Sequence, residues 1–157
     1  AQGTGGAGKT AVMGLLERHS ETGHSTIKTE VISDTTRTTL HSKVREHVEM
    51  GSDVFTDAFP SYKGLSPDFN HQFVDHAEAY VNGSVHTNGL ENFWSLFKRC
   101  VDGTYVSLAP FHLFRYLDEE TFRFNNRKIT DGDRLIMVVQ SVSGRQLTYK
   151  KLTGKQE

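Results

Sequence analysis

Apolar and polar positions along this chain repeat at two periods, and the clearest run sets the first expected element. Leu90, Phe93, Trp94, Phe97 and Val101 lie at i, i+3, i+4, i+7 and i+11, one buried stripe of an α-helix. Glu91, Ser95 and Lys98 repeat at i, i+4 and i+7 and share another face. Asn88 or Thr87 supplies the N-cap, which places the acid in the first turn, where the helix dipole favours it. A second stripe, Leu40, Val44 and Val48, predicts a helix from about Thr36 to Met50, capped by Asp34 or Thr35 and ended by Gly51. Ala109-Pro110 opens a third helix to about Asn126, with Leu113, Phe114, Leu117, Thr121 and Phe124 inward. Asp131 to Val142 reads as a last helix, and Arg145 to Lys155 as a short hairpin or part of a basic C-terminal tail, 145–157.

Strand periodicity fills the gaps. Thr10 to Arg18 reads as a strand, His19 to His24 as a hairpin turn, and Ser25 to Ser33 as a second strand alternating through Ile27, Thr29 and Val31. Asp53 to Asp57 and Phe69 to Val74 are two further short strands, separated by a loop holding Pro60, Gly64 and Pro67. Tyr80 to Ser84 is a turn before the Glu91 helix, and Asp102-Gly103 breaks the chain after it. Strands and helices interleaved in this order imply an α/β fold.

Composition narrows the class. A length of 157 residues suits one domain with a real core, and 36% hydrophobic with 24% charged residues marks a globular chain. A net charge of −1 gives no global pull toward nucleic acid, so any such contact rests on local patches. The single Cys100 excludes an internal disulfide and a multi-cysteine zinc site, and reads as a core thiol. No apolar run reaches membrane-span length and no signal peptide is visible, which makes the cytoplasm the expected compartment. The chain opens on Ala1-Gln2-Gly3 and is expected to start inside a domain.

Candidate chemistry centres on two acids. Asp57 ends a strand and Glu91 sits on a helix much later in the chain; hard oxygen ligands from separate elements suit Mg²⁺ while leaving positions for a substrate phosphate. Lys98, two turns below Glu91, can touch a nucleic-acid backbone. Three other features have blander readings. Asp34 stands just before a helix and is expected to cap it. His71, His76 and His86, near Asp75 and Glu78, match no known helical metal spacing. Gly3 to Thr10 formally matches the phosphate-binding loop G-x-x-x-x-G-K-[ST], but only two residues precede it, so a flexible connector over residues 1–10 is expected instead. A nucleotide-hydrolysing reading remains as an alternative, and nucleotide binding lost on Lys9→Ala is its mark.

Several segments together carry a resemblance: Thr56 to Tyr62, Val85 to Arg99, Gly103-Thr104-Tyr105, Arg115 to Glu119 and Phe122 to Arg127. In this order they resemble the ISXO-like DDE transposase domain of bacterial insertion sequences, over about Lys9 to Lys151. The resemblance implies an RNase H-like fold, a mixed sheet flanked by helices, whose first and central strand carries the first catalytic Asp. That strand is expected to lie upstream of Ala1. The resemblance further implies Mg²⁺ (or Mn²⁺) as cofactor, with Asp57 as second acid and Glu91 as third ligand, Asn88 being the alternative third ligand. Lys98 and Arg99 would contact DNA, and Trp94 would pack in the core or stack on a base. Implied partners are the transposon ends and target DNA, a second copy in the full-length protein, and no membrane. The implied activity is DNA strand cleavage and strand transfer, absent from this chain alone for want of the first Asp. A non-catalytic DNA-binding remnant is the remaining alternative.

Overall fold

A computed structural model describes residues 9–18, 23–74, 87–105 and 108–154. Strands β1 (Ala11–Glu17) and β2 (Thr26–Ile32) pair antiparallel, Ala11 opposite Ile32 and Glu17 opposite Thr26. Alternation sends their two faces to different partners. Ala11, Met13 and Leu15 of β1 and Ile32 of β2 pack with Leu40 and Val44 of helix α1 (Arg37–His47). On that face Lys28 reaches Nδ1 of His47 at 3.1 Å and Glu30 meets Lys43 at 2.6 Å. The opposite face meets helices α2 (Asn88–Cys100) and α3 (Leu113–Asn125), with Thr29 Oγ1 2.9 Å from Thr121 Oγ1. The β1–β2 pair is therefore covered by helix on both faces.

Strands β3 (Asp53–Asp57) and β4 (Asn70–Val74) pair in parallel, with Asp53 opposite Asn70. A parallel pair needs a crossover, supplied here by residues 58–69 with one 3₁₀ turn, Pro60–Tyr62. That crossover is anchored by Leu65 and Phe69, both buried in the α1 core, and by Arg45 of α1, whose guanidinium holds Asp68 at 2.6 Å. The chain enters β3 through Gly51, whose φ of 85° favours a residue without Cβ; its N–H donates to Asp68 C=O at 2.8 Å.

Among the described residues the strands form two two-stranded sheets rather than one mixed sheet. Among the described residues no strand lies between β1 and β3, and both line one cleft of about 1060 Å³. The sheets are joined through the shared core, Val54 of β3 packing into the cluster that holds Met13 and Ile32.

Other elements shift from expectation for local reasons. The N-cap of α1 is Thr36, not Asp34 or Thr35, and its hydroxyl accepts from Thr39 N–H. Asp34 instead accepts from both the N–H and the hydroxyl of Thr36, at 2.9 and 2.6 Å, so it orients the cap. Helix α1 stops at His47 because Val48 turns extended to reach the core. Beyond α2 the chain does not break at Asp102-Gly103 but continues as a π-helical turn, Val101–Tyr105. Tyr105 holds it down, its ring 4.5 Å from that of Tyr116 and its hydroxyl on Glu119. Pro110–His112 forms a 3₁₀ turn leading into α3, in which Leu117 is buried but Phe114, expected inward, is exposed. Helix α4 (Asp131–Val142) is capped by Thr130. The expected tail or hairpin contains a short helix, α5 (Tyr149–Thr153), capped by Thr148 and ended by Gly154. Among the described residues no helix is long and apolar enough to cross a membrane.

Candidate active site

Helix α2 is placed on β1 by two glycines. A Cβ on Gly14 would stand 2.7 Å from the Trp94 ring and 2.8 Å from Leu90, and one on Gly89 would stand 2.7 Å from Leu16. This close approach puts the first turns of α2 along the cleft. The expected stripe of α2 faces inward: Phe93 is 1% exposed, and Leu90, Trp94, Phe97 and Val101 are half-buried. Phe93 stacks edge-on against Trp94 and Phe124, with centroids 5.1 and 5.6 Å apart. Trp94 both packs on β1 and lines the cleft.

Asp57 and Glu91 line this same cleft. Asp57 is the last residue of β3; its Oδ1 accepts the Phe59 N–H at 3.2 Å, which fixes one oxygen in a turn. Glu91 lies in the first turn of α2, where Thr87 gives no backbone cap and instead donates its hydroxyl to Glu91 Oε1 at 2.6 Å. Both carboxylates are exposed to the cleft rather than buried. Asn88, the first residue of α2, is exposed and does not line the cleft. Lys98 and Arg99 are exposed in the last turn of α2, outside the cleft lining.

Residues not singled out from the sequence complete the surroundings of Asp57. Tyr62 lines the cleft; burial first, and the charge of Asp57 second, push its phenol up to about 12, so it is a neutral hydrogen-bonding group at neutral pH. Thr56, buried in β3, donates its single hydroxyl proton to Asp57 C=O at 2.8 Å. His71 Nε2, 2.9 Å from that hydroxyl oxygen, must then be the donor. Gly14 interrupts the alternation of β1, and a glycine inside a strand pattern is itself a sequence signal for close backbone approach.

Asp57 and Glu91 come from separate elements and open to one cleft, which Glu17, Glu49 and Asp53 also line, and carboxylate oxygens are donors that suit a hard divalent cation. Among the described residues the tightest group of ligand-type side chains is elsewhere, Glu30, Glu46 and His47. There Lys43 already bridges Glu30 and Glu46, at 2.6 and 3.0 Å, which satisfies those carboxylates as an ion-pair network. His76, His86, Asp75 and Glu78 lie outside the described residues, as do residues 1–8 of the glycine-rich segment. Lys9 and Thr10 lead into strand β1, whereas a phosphate-binding loop is left by a helix. Cys100 is half-buried and donates to Glu120 Oε1 at 3.2 Å; burial, then that carboxylate, pushes its thiol up and keeps it protonated.

A family described as the ISXO2-like transposase domain matches residues 1–125. The chain belongs to that family. A transposase-like protein of Haemophilus influenzae, itself named as uncharacterized, is 33% identical over 104 residues, 66% of this chain and 84% of the relative. No solved structure matches. The transposase match covers β1 to α3 and ends where α4 has yet to begin.

Proposed function

We propose that this chain is the catalytic domain of a DDE-type transposase with an RNase H-like plan, acting on DNA by metal-dependent strand cleavage and strand transfer. The observation that carries the reading is that Asp57 and Glu91, from a strand and a helix far apart in sequence, line one cleft together with residues of β1. In this reading a strand between β1 and β3 completes a mixed sheet and brings the first acid to the cleft. Asp57 and Glu91 would hold Mg²⁺ or Mn²⁺, and Glu91 is preferred over Asn88 because only Glu91 lines the cleft. The bound ion supplies Lewis-acid polarisation of phosphate oxygens and a more acidic water. The protein's own residues do the positioning: Thr87 holds one Glu91 oxygen, the Phe59 N–H holds one Asp57 oxygen, and Tyr62 keeps its proton beside Asp57. Lys98 and Arg99, cations at the far end of α2, would contact the DNA backbone. The protein would work in the cytoplasm as a homo-oligomer on transposon ends and target.

Calorimetric titration of the 157-residue chain with Mn²⁺ tests the site. Weak binding that disappears in Asp57→Asn and in Glu91→Gln, but persists in Asn88→Ala, is the expected result. Binding untouched by both acid variants would reject the site. With the two acids alone, the chain is expected not to cut or join DNA; efficient Mg²⁺-dependent cleavage by it would overturn the three-acid reading.

A further inference from the structure

A second concavity, of about 750 Å³, lies where α5 docks on the start of α3. Its wall carries Phe111, Phe114, Arg115, Leu147, Lys150 and Lys151 and, among the described residues, no acid. On a chain of net charge −1, three cations with no acid in the described lining are a local concentration of positive potential. The two rings are half in solvent, Phe111 51% and Phe114 45% exposed.

The groove is held in shape. Arg115 donates to Lys151 C=O at 2.7 Å and to Leu152 C=O at 3.5 Å, fastening the end of α5 to α3. Its guanidinium stands 5.3 Å from the Phe114 centroid and 6.0 Å from that of Phe111. Gly154, at φ 66°, lets the backbone pass beneath Phe111; a Cβ there would meet the ring at 2.8 Å. Lys150 and Lys151 are exposed and form no ion pair among the described residues.

Positioned aromatic faces beside unpaired lysines are the elements of a single-strand platform, in which bases stack on rings and phosphates meet ammonium groups. A duplex keeps its base faces against one another and has none to offer. We propose that this groove binds a single strand of DNA, with Phe111 and Phe114 stacking bases and Lys150 and Lys151 on the phosphates. The inference goes beyond the function proposed above and uses none of the cleft's residues.

Fluorescence anisotropy of labelled oligothymidylate with the 157-residue chain, in EDTA, tests it. The expected result is binding that weakens about five-fold or more in Phe114→Ala. In Lys150→Glu/Lys151→Glu it weakens similarly, and the salt slope falls by about 0.7 per lost cation. Mn²⁺ titration of Phe114→Ala should match that of the unaltered chain, so failure of the metal site and failure of this groove are separable. No binding by the unaltered chain overturns the proposal. So do full binding by the lysine variant with its circular dichroism unchanged, and tighter binding of a duplex than of the single strand.

Discussion

The side-chain amide of Asn125 does for β2 what a neighbouring strand would do. Its Oδ1 accepts the Ile27 N–H at 2.7 Å and its Nδ2 donates to the Ile27 C=O at 2.8 Å, so the outer edge of β2 is closed by one residue of α3. Asn125→Ala leaves both backbone groups without their partner and should cost about 1–3 kcal/mol in urea unfolding. The sequence pattern shows a helix ending near this residue but gives no reason to tie it to Ile27, because the contact spans most of the chain. His71 offers a pH test. Burial, then the charge of His41, holds its imidazole below the ordinary value of 6.5. The unfolded chain therefore takes the proton more readily. The stability His71 contributes is present above pH 6.5 and is lost as pH falls through the folded value. Between about pH 7.5 and about 5.5 the unaltered protein should lose more stability than His71→Gln; equal losses would remove His71 as the source.

At the scale of elements, α2 is the most legible in the sequence and β3 the least placed. The 3.6-residue stripe ending at Val101 is the face found buried, because periodicity alone decides which side of an amphipathic helix packs. The β-type run Asp53–Asp57 is equally plain, yet its partner is not, since nothing in a five-residue strand states whether a neighbour lies parallel or antiparallel, or on which edge. The caps divide the same way: Thr36 wins over Asp34 because the carboxylate is already engaged by the Thr36 N–H and hydroxyl. Gly14 sets how closely α2 sits on β1. Gly14→Val should overpack that contact by about 1–3 kcal/mol. Trp94, the chain's single tryptophan, should report it as a red-shifted emission in the folded variant. Unchanged emission and stability would show that α2 yields without cost.

Across the whole molecule, packing is uneven. Residues up to Asn125, the extent of the transposase match, hold the buried core, whereas α4 lies after it with its apolar side chains outward. Leu135 is 63% exposed, and Ile136, Val139 and Val142 are all more than half exposed. A contiguous apolar surface of this kind drives association in water. Leu135→Lys/Val139→Lys should raise the concentration at which the chain sediments as a single species, with its melting temperature unchanged. The cleft between the two sheets has a different consequence. A group that fits there meets a wall of β1, β3 and α2 residues that is assembled only in the folded chain, so it binds the folded chain and not the unfolded one. Occupancy is therefore convertible into melting temperature: a ligand at a hundred times its Kd adds about 2.7 kcal/mol. A thermal melt in the presence of Mn²⁺ would measure how much stability an occupant of the cleft adds to the fold.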